Sequence, residues 1–210
     1  MAEPTGYDLT HKKILDSAKK IFLKKGYEKT NLREICANAG VTTGAFYRHF
    51  KNKEAVFSEL VKPVVQLIHQ MYSKIKKESF DSLKKNHPED LAKLNLNGAI
   101  EATVLMYKKK KLFELLTCKS YGTKYENFID TIVKMEDINR KKSNAIIAES
   151  KQKEVDIPDE AMHLLNHAYV SALKDIIVHG KSEEYVRENT KIVTEFFNEG
   201  WKKLRGFKKR

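Results

Sequence analysis

Between Val41 and Phe50 the chain places Thr42, Thr43, Gly44, Tyr47, Arg48 and His49 on a stretch short enough to be one helix of two turns. Their shared chemistry is hydrogen bonding to an anionic, base-bearing surface. Threonines at a helix N-terminus lie where free N–H groups and the positive end of the helix dipole attract phosphate. A threonine also meets a base edge or a thymine methyl, and Arg48 can take a phosphate or a guanine. Gly44 has no side chain, which leaves room for close approach, and Lys51 and Lys53 extend the positive rim. A second candidate pair is His163 and His167, at the i, i+4 spacing of metal ligands on one helix face. No glutamate stands between them as in a zinc-protease helix, and no cysteine pair lies near. Packing or pocket-lining histidines are the expectation, with neither metal nor cofactor.

The elements that must position the first set are legible in the apolar spacing. From Thr10 onward, Ile14, Leu15, Ala18, Ile21 and Phe22 form the stripe of an amphipathic helix, which Gly26 ends. Thr30 or Asn31 caps a second helix, with Glu34 placed for a capping box and Leu32, Ile35, Cys36 and Ala39 on one face; Gly40 stops it. Thr42 and Thr43 begin a third, whose Ala45, Phe46 and Phe50 face back toward the first two. Helix, short glycine-containing turn, helix is the helix-turn-helix arrangement, in which the second helix enters the DNA major groove. A fourth helix starts at Glu54 and runs to about Lys77. Pro63 lies inside it and costs roughly 3 kcal/mol unless the helix bends, so a kink or break is expected there.

The remainder reads as further helices: about 89–110 after "KKNHPED", the short "LFELLTCKS" before Gly122, about 124–151, one opening near Pro158, and a last one after "HGKSEE". Among these, Met71, Tyr72, Tyr107, Phe113, Tyr121, Tyr125, Phe128 and Met135, with His163 and His167, either line an apolar ligand cavity or are plain core. The final two helices carry Ala161, Leu165, Ala168, Ala172 and Ile176 on one, and Val186, Ile192, Val193, Phe196, Phe197, Trp201 and Leu204 on the other. They either pack into their own domain or pair with the same hairpin of a second copy.

At 210 residues, with 41% hydrophobic and 32% charged residues and only 4 Pro and 9 Gly, the composition favours an all-α soluble class. Residues 1–60 hold 11 Lys+Arg against 7 Asp+Glu, a net of +4 out of the total +12, so basicity alone does not locate a binding face. The runs "YKKKK" and "WKKLRGFKKR" read as solvated helix flanks and a tail. No apolar run reaches the roughly 18 residues of a membrane span, and the start lacks the apolar core of a signal peptide; a cytoplasmic protein is expected. Cys36 and Cys118 fit no metal spacing. No nucleophile elbow, P-loop or dinucleotide fingerprint supports an enzyme.

"ILDSAKKIFLKKGYEKTNLREICANAGVTTGAFYRHFKNKEAVFSELV", residues 14–61, resembles the DNA-binding domain of the TetR (tetracycline-repressor-like) transcriptional regulators. Ala18, Phe22, Gly26, Tyr27, Thr30, Ile35, Ala39, Gly40, Val41, Gly44, Tyr47, His49, Phe50, Lys53 and Glu54 meet the family pattern. Thr42 departs mildly from a frequent serine and Cys36 from the usual alanine, while Arg48 stands at a variable position. The resemblance implies an N-terminal DNA-binding domain (9–54), a helical effector-binding and dimerisation domain (55–205) and a basic tail (206–210). It implies a homodimer on a palindromic operator of double-stranded DNA, released by a small apolar or amphipathic effector. Implied DNA contacts are Thr42, Thr43, Gly44, Tyr47 and His49, with Thr30 and Lys53 on phosphates; Asn31, Arg33 and Arg48 are expected beside them. The implied dimer face takes Leu165, Ala168, Ala172, Ile176, Ile192, Val193, Phe196, Phe197 and Trp201. A non-specific basic nucleic-acid binder is the rival, separable because only a repressor retains strong preference for one palindrome.

Overall fold

The computed structural model describes residues 5–84, 90–149 and 157–204, and among these every regular element is an α-helix. The chain divides into two compact units. The first runs to Gln66 and takes in Lys111–Asn127; the second comprises Leu67–Lys110 and the chain from Phe128 onward.

In the first unit, α1 (Gly6–Lys25) starts ahead of its apolar stripe because Thr5 caps it. The Asp8 amide donates to Thr5 Oγ1 at 3.3 Å and the Thr5 amide donates to Asp8 Oδ2 at 3.0 Å, closing a capping box. Gly26, at φ +82°, ends the helix. Helix α2 (Leu32–Ala39) is capped by Asn31, whose Oδ1 accepts from the Arg33 amide at 2.9 Å, and Glu34 pairs with Lys25 instead of completing a box. Helix α3 (Thr43–His49) is capped by Thr42, whose Oγ1 accepts from the Ala45 amide at 3.1 Å. Ile14, Ala18, Phe22, Ile35, Phe46, Val56 and Phe57 are fully enclosed and form the core, at about 1.5–3 kcal/mol for each large side chain. The Ser17 hydroxyl donates to the Ile35 carbonyl at 2.8 Å and fastens α1 to α2.

Helix α4 (Lys53–Lys84) continues through Pro63 and beyond the expected end near Lys77. The expected break does not occur. Pro63 is exposed, while Val61 and Val64 beside it are both fully buried, so packing carries the helix across the missing hydrogen bond. Helix α6 (Lys110–Cys118) leads into a run of turns through residue 127. There Gly122 takes φ +81° and the Thr123 hydroxyl donates to the Ser120 carbonyl at 2.7 Å. These turns delay the next helix beyond the expected residue 124. The Tyr27 amide donates to the Lys119 carbonyl at 2.9 Å, so residues distant in sequence join the same unit.

The second unit assembles the later part of α4 with α5 (Asp90–Lys108), α7 (Phe128–Glu149), α8 (Asp159–His179) and α9 (Glu183–Leu204). Helix α5 packs on α8 and α9, α7 on α8, and α8 on α9. Val104, Ile176 and Val186 centre one core, flanked by Ile100, Tyr107, Leu173 and Val193. Gly98 lets α5 meet α4, since a Cβ there would stand 2.8 Å from Ile75 Cγ1. Thr103 and Thr190 satisfy each other inside this core at 2.9 Å. Pro158 stands at the N-cap position of α8, one residue ahead of its first turn, and its carbonyl accepts from the Met162 amide at 3.0 Å. The expected loop at 84–90, the stretch before Ile157 and the basic tail fall wholly or largely outside the described residues.

Candidate nucleic-acid interface

Helix α3 is held from within by Phe46, fully enclosed, and by Phe50, its C-cap, at 4% exposure. That leaves Thr42, Thr43, Gly44, Tyr47 and Arg48 exposed together on the outer side, with Tyr47 at 59%. The Thr42 hydroxyl accepts from the Ala45 amide and keeps its proton free to donate outward. Gly44 is informative because nothing among the described residues requires it. A Cβ built there meets only Thr42 Oγ1, at 3.9 Å, which is ordinary contact. Glycine weakens a helix by about 1 kcal/mol relative to alanine, so its use on this face has a cost that the fold does not explain. Asn31 and Arg33, at the start of α2, are exposed as well.

Two expected phosphate holders turn inward instead. Thr30 is 3% exposed, and its hydroxyl donates to the Gly26 carbonyl at 2.6 Å. The Lys53 ammonium donates to the Tyr27 and Thr30 carbonyls, at 2.8 Å each, and lies 4.0 Å from the centre of the Tyr27 ring. Burial lowers the Lys53 pKa, against the raising charge of Glu28. Both side chains close the turn between α1 and α2: Thr30 serves the Gly26 carbonyl, and Lys53 serves the Thr30 carbonyl and joins the Thr30 amide on that of Tyr27.

His49 packs rather than projecting freely. Its ring lies 4.0 Å from Tyr7 and 5.6 Å from His11, centroid to centroid, and its Nδ1 is buried with no hydrogen-bond partner. Burial, then the charges of His11 and Arg48, hold its imidazole below the ordinary value. His11 stacks on Phe50 at 4.5 Å and contacts Glu59 through Nε2 at 2.7 Å. Tyr7 and His11 have no place in an apolar-only stripe that begins at Ile14. A signal exists once polar rings are admitted, because Tyr7, His11, Ile14 and Ala18 share one helix face.

The expected effector residues are divided between the two units. Phe113, Tyr121 and Tyr125 belong to the first unit, where Tyr121 is 67% exposed and the Tyr125 ring lies tilted 6.4 Å from that of Phe57. Met71, Tyr72, Tyr107, Phe128, Met135, His163 and His167 belong to the second, with Tyr107 packed in the Val104 core. There α4 and α7 share a polar group that the apolar pattern does not mark. The Asn139 amide donates to the Tyr72 hydroxyl, and Lys76 pairs with Glu136 at 2.8 Å. Burial first, then the Glu136 charge, raises the Tyr72 pKa. His163 contacts Asp137 at 2.7 Å, Asn166 donates to the same carboxylate at 2.8 Å, and His167 lies 3.7 Å from Asp130. The two histidines therefore each face an α7 carboxylate. Among the described residues no group of three or more His, Cys, Asp or Glu side chains suits a metal ion. Tyr169, pushed up to about 12 by burial, bonds Thr194 at 3.2 Å.

The expected dimer face divides in a similar way. Ile176 and Val186 are buried in the unit's own core, against which the half-buried Val193 packs. Phe197 packs on Tyr169 at 5.1 Å and Trp201 lies 4.7 Å from the Arg140 guanidinium, while Leu165 and Ala172 are half-buried. Ala168, Ile192 at 64% and Phe196 at 74% remain exposed, joined by Leu164 at 68%, which the small-residue seam omits.

Residues 14–60 match the profile described as bacterial regulatory proteins of the tetR family. Over 59 residues the chain is 41% identical to the TetC protein of transposon Tn10 from Escherichia coli, across 28% of this chain and 30% of that protein. It is 49% identical over 51 residues to the HTH-type transcriptional regulator AcrR of Shigella flexneri, 24% of either length. The matches thus span less than a third of these relatives. A solved structure of the SmeT-triclosan complex aligns with 91% of this chain and 90% of its own, at 20% identity and TM-score 0.55, a likeness of fold. Among the described residues no helix is long and apolar enough to cross a membrane.

Proposed function

We propose that this chain, whose residues 14–60 match the tetR family of bacterial regulatory proteins, is a member of that family and a cytoplasmic transcriptional repressor. It binds a palindromic operator as a homodimer and releases it when a small amphipathic molecule binds. Functionally, residues 9–54 read DNA and residues 55–205 hold the effector and the dimer contact. The observation that carries the reading is the outer face of α3. It gathers two hydroxyls, a tyrosine and an arginine around a glycine that only an outside surface explains. Thr43 and Arg48 face base edges, Tyr47 holds phosphate, and Gly44 lets the helix axis come close. Two copies present two such helices to half-sites about 34 Å apart.

The second copy docks through Leu164 and Ala168 of α8 with Ile192 and Phe196 of α9, which leave an apolar face uncovered within one chain. SmeT has been solved with triclosan. For this chain we assign a small amphipathic ligand to the region of Met71, Tyr72, Phe128, Glu136 and Asn139, where a polar group sits beside apolar side chains. Such a ligand acts only if it binds the DNA-competent and released conformations unequally, and α4, continuous from Lys53 to Lys84, is the route of the change.

The test is a binding-site selection on random duplex DNA with the full chain. A palindromic consensus supports the reading. Enrichment of no sequence, with affinity falling equally for all duplexes as salt rises, means a non-specific basic binder instead.

A further inference from the structure

The geometry points to Tyr7, in the first turn of α1, as a positioning residue for the reading helix, acting through the ring of His49. This inference rests on the DNA-reading role of α3 and assigns Tyr7 no contact with DNA.

Helix α3 has seven residues and is about 10 Å long. Its only fully enclosed side chain is Phe46, near its middle. One buried anchor fixes a position but leaves the direction of a short helix free to tilt, so a second hold at an end is required. At the N-terminal end the Thr42 cap bonds within the helix itself, and the link to α2 is the backbone bond from the Val41 amide to the Cys36 carbonyl at 3.0 Å. At the C-terminal end two holds exist. Phe50 enters the core, and the His49 ring lies 4.0 Å from Tyr7 with the planes 31° apart. The Tyr7 hydroxyl stands 3.5 Å from the Arg48 carbonyl, too long to carry much, so the ring contact does the holding. Tyr7 in turn lies between Thr5 and Asp8, inside the capping box that fixes the start of α1, and precedes His11 by one turn. His11 is itself fixed between Phe50 and Glu59. Burial of the His49 ring, with Nδ1 unpartnered, agrees with a neutral imidazole that packs as a flat surface. Tyr7 is 55% exposed, so little of the core depends on it.

The experiment compares wild type, Tyr7→Phe and Tyr7→Ala as full chains, by thermal unfolding, by NMR titration of the His49 imidazole, and by affinity and salt slope on a selected duplex. In Tyr7→Ala the His49 pKa rises toward its ordinary value of about 6.5. Affinity falls about tenfold with the salt slope unchanged, because orientation and not a phosphate contact is lost. Tyr7→Phe keeps both within about twofold, since the ring does the work. Loss of affinity in Tyr7→Phe equal to that in Tyr7→Ala, or a shallower salt slope, overturns the proposal in favour of a direct hydroxyl contact. Unchanged affinity and His49 titration in Tyr7→Ala also overturn it. If wild type selects no sequence, the DNA-reading premise has failed separately, and the His49 titration alone then decides whether Tyr7 holds α3.

Discussion

Two faces of this chain leave large side chains in water, and they do so with opposite neighbours. On α3, Tyr47 at 59% exposure stands among Thr42, Thr43, Gly44 and Arg48. On α8 and α9, Leu164, Ile192 and Phe196, at 64–74%, are exposed along with Ala168, and none of these side chains has a hydrogen-bonding group. Exposure alone does not say what a surface meets. A tyrosine flanked by hydroxyls and a guanidinium can exchange water for phosphate and base edges at little net loss. Leucine, isoleucine and phenylalanine gain only by leaving water, at about 25 cal/mol for each Å² covered. The first face suits a polyanion and the second an equally apolar surface.

The strongest break of this contrast is the double change Ile192→Glu with Phe196→Glu. Charge on the apolar face yields a monomer in sedimentation, and operator affinity falls a hundredfold or more, on the order of the gain from a two-handed grip. A persisting dimer would move the contact elsewhere. Tyr47→Ala comes next: affinity falls by about 1–3 kcal/mol, or roughly tenfold to a hundredfold, while the unfolding midpoint stays put. Identical consensus and affinity for wild type and Tyr47→Ala in a site selection would remove α3's outer side as the reading face.

Lys53→Ala tests the boundary between the reading face and the structure beneath it. With the ammonium on the Tyr27 and Thr30 carbonyls, denaturant unfolding shows a loss of about 1–3 kcal/mol, and the salt slope of DNA binding changes by well under one. A slope reduced by about one at unchanged stability would return Lys53 to the phosphates. The smallest effect belongs to Gly44→Ala. It raises helix stability by up to about 1 kcal/mol while weakening operator binding. Equal or tighter binding would show that close approach is not what the glycine serves.

Helix order and most helix starts were legible because caps and stops are local: Asn31, Gly40 and Thr42 act within a few residues of themselves. The beginning of α1 was less so, since Thr5 and Asp8 cap it ahead of its apolar stripe. The persistence of α4 past Pro63 depends on the burial of Val61 and Val64, a tertiary fact that local cost cannot supply. The outer face of α3 could be read because Phe46 and Phe50 fix its phase. Thr30 and Lys53 could not, because a hydroxyl or ammonium at a turn serves an internal carbonyl as readily as a phosphate. Helix α8 is apolar around much of its circumference, so spacing alone does not separate Ile176, inside, from Leu164, outside.

The shortness of α3 has a consequence for how such a protein diverges. Of its seven residues, Thr43, Gly44, Tyr47 and Arg48 are exposed, and only Phe46 is fully enclosed. Surface substitutions typically shift stability by no more than about 0.5 kcal/mol. On the proposed DNA-reading role, a duplicated gene can therefore wander through new target sequences one codon at a time, with each intermediate still folded, while Phe46 and Phe50 hold the helix from behind.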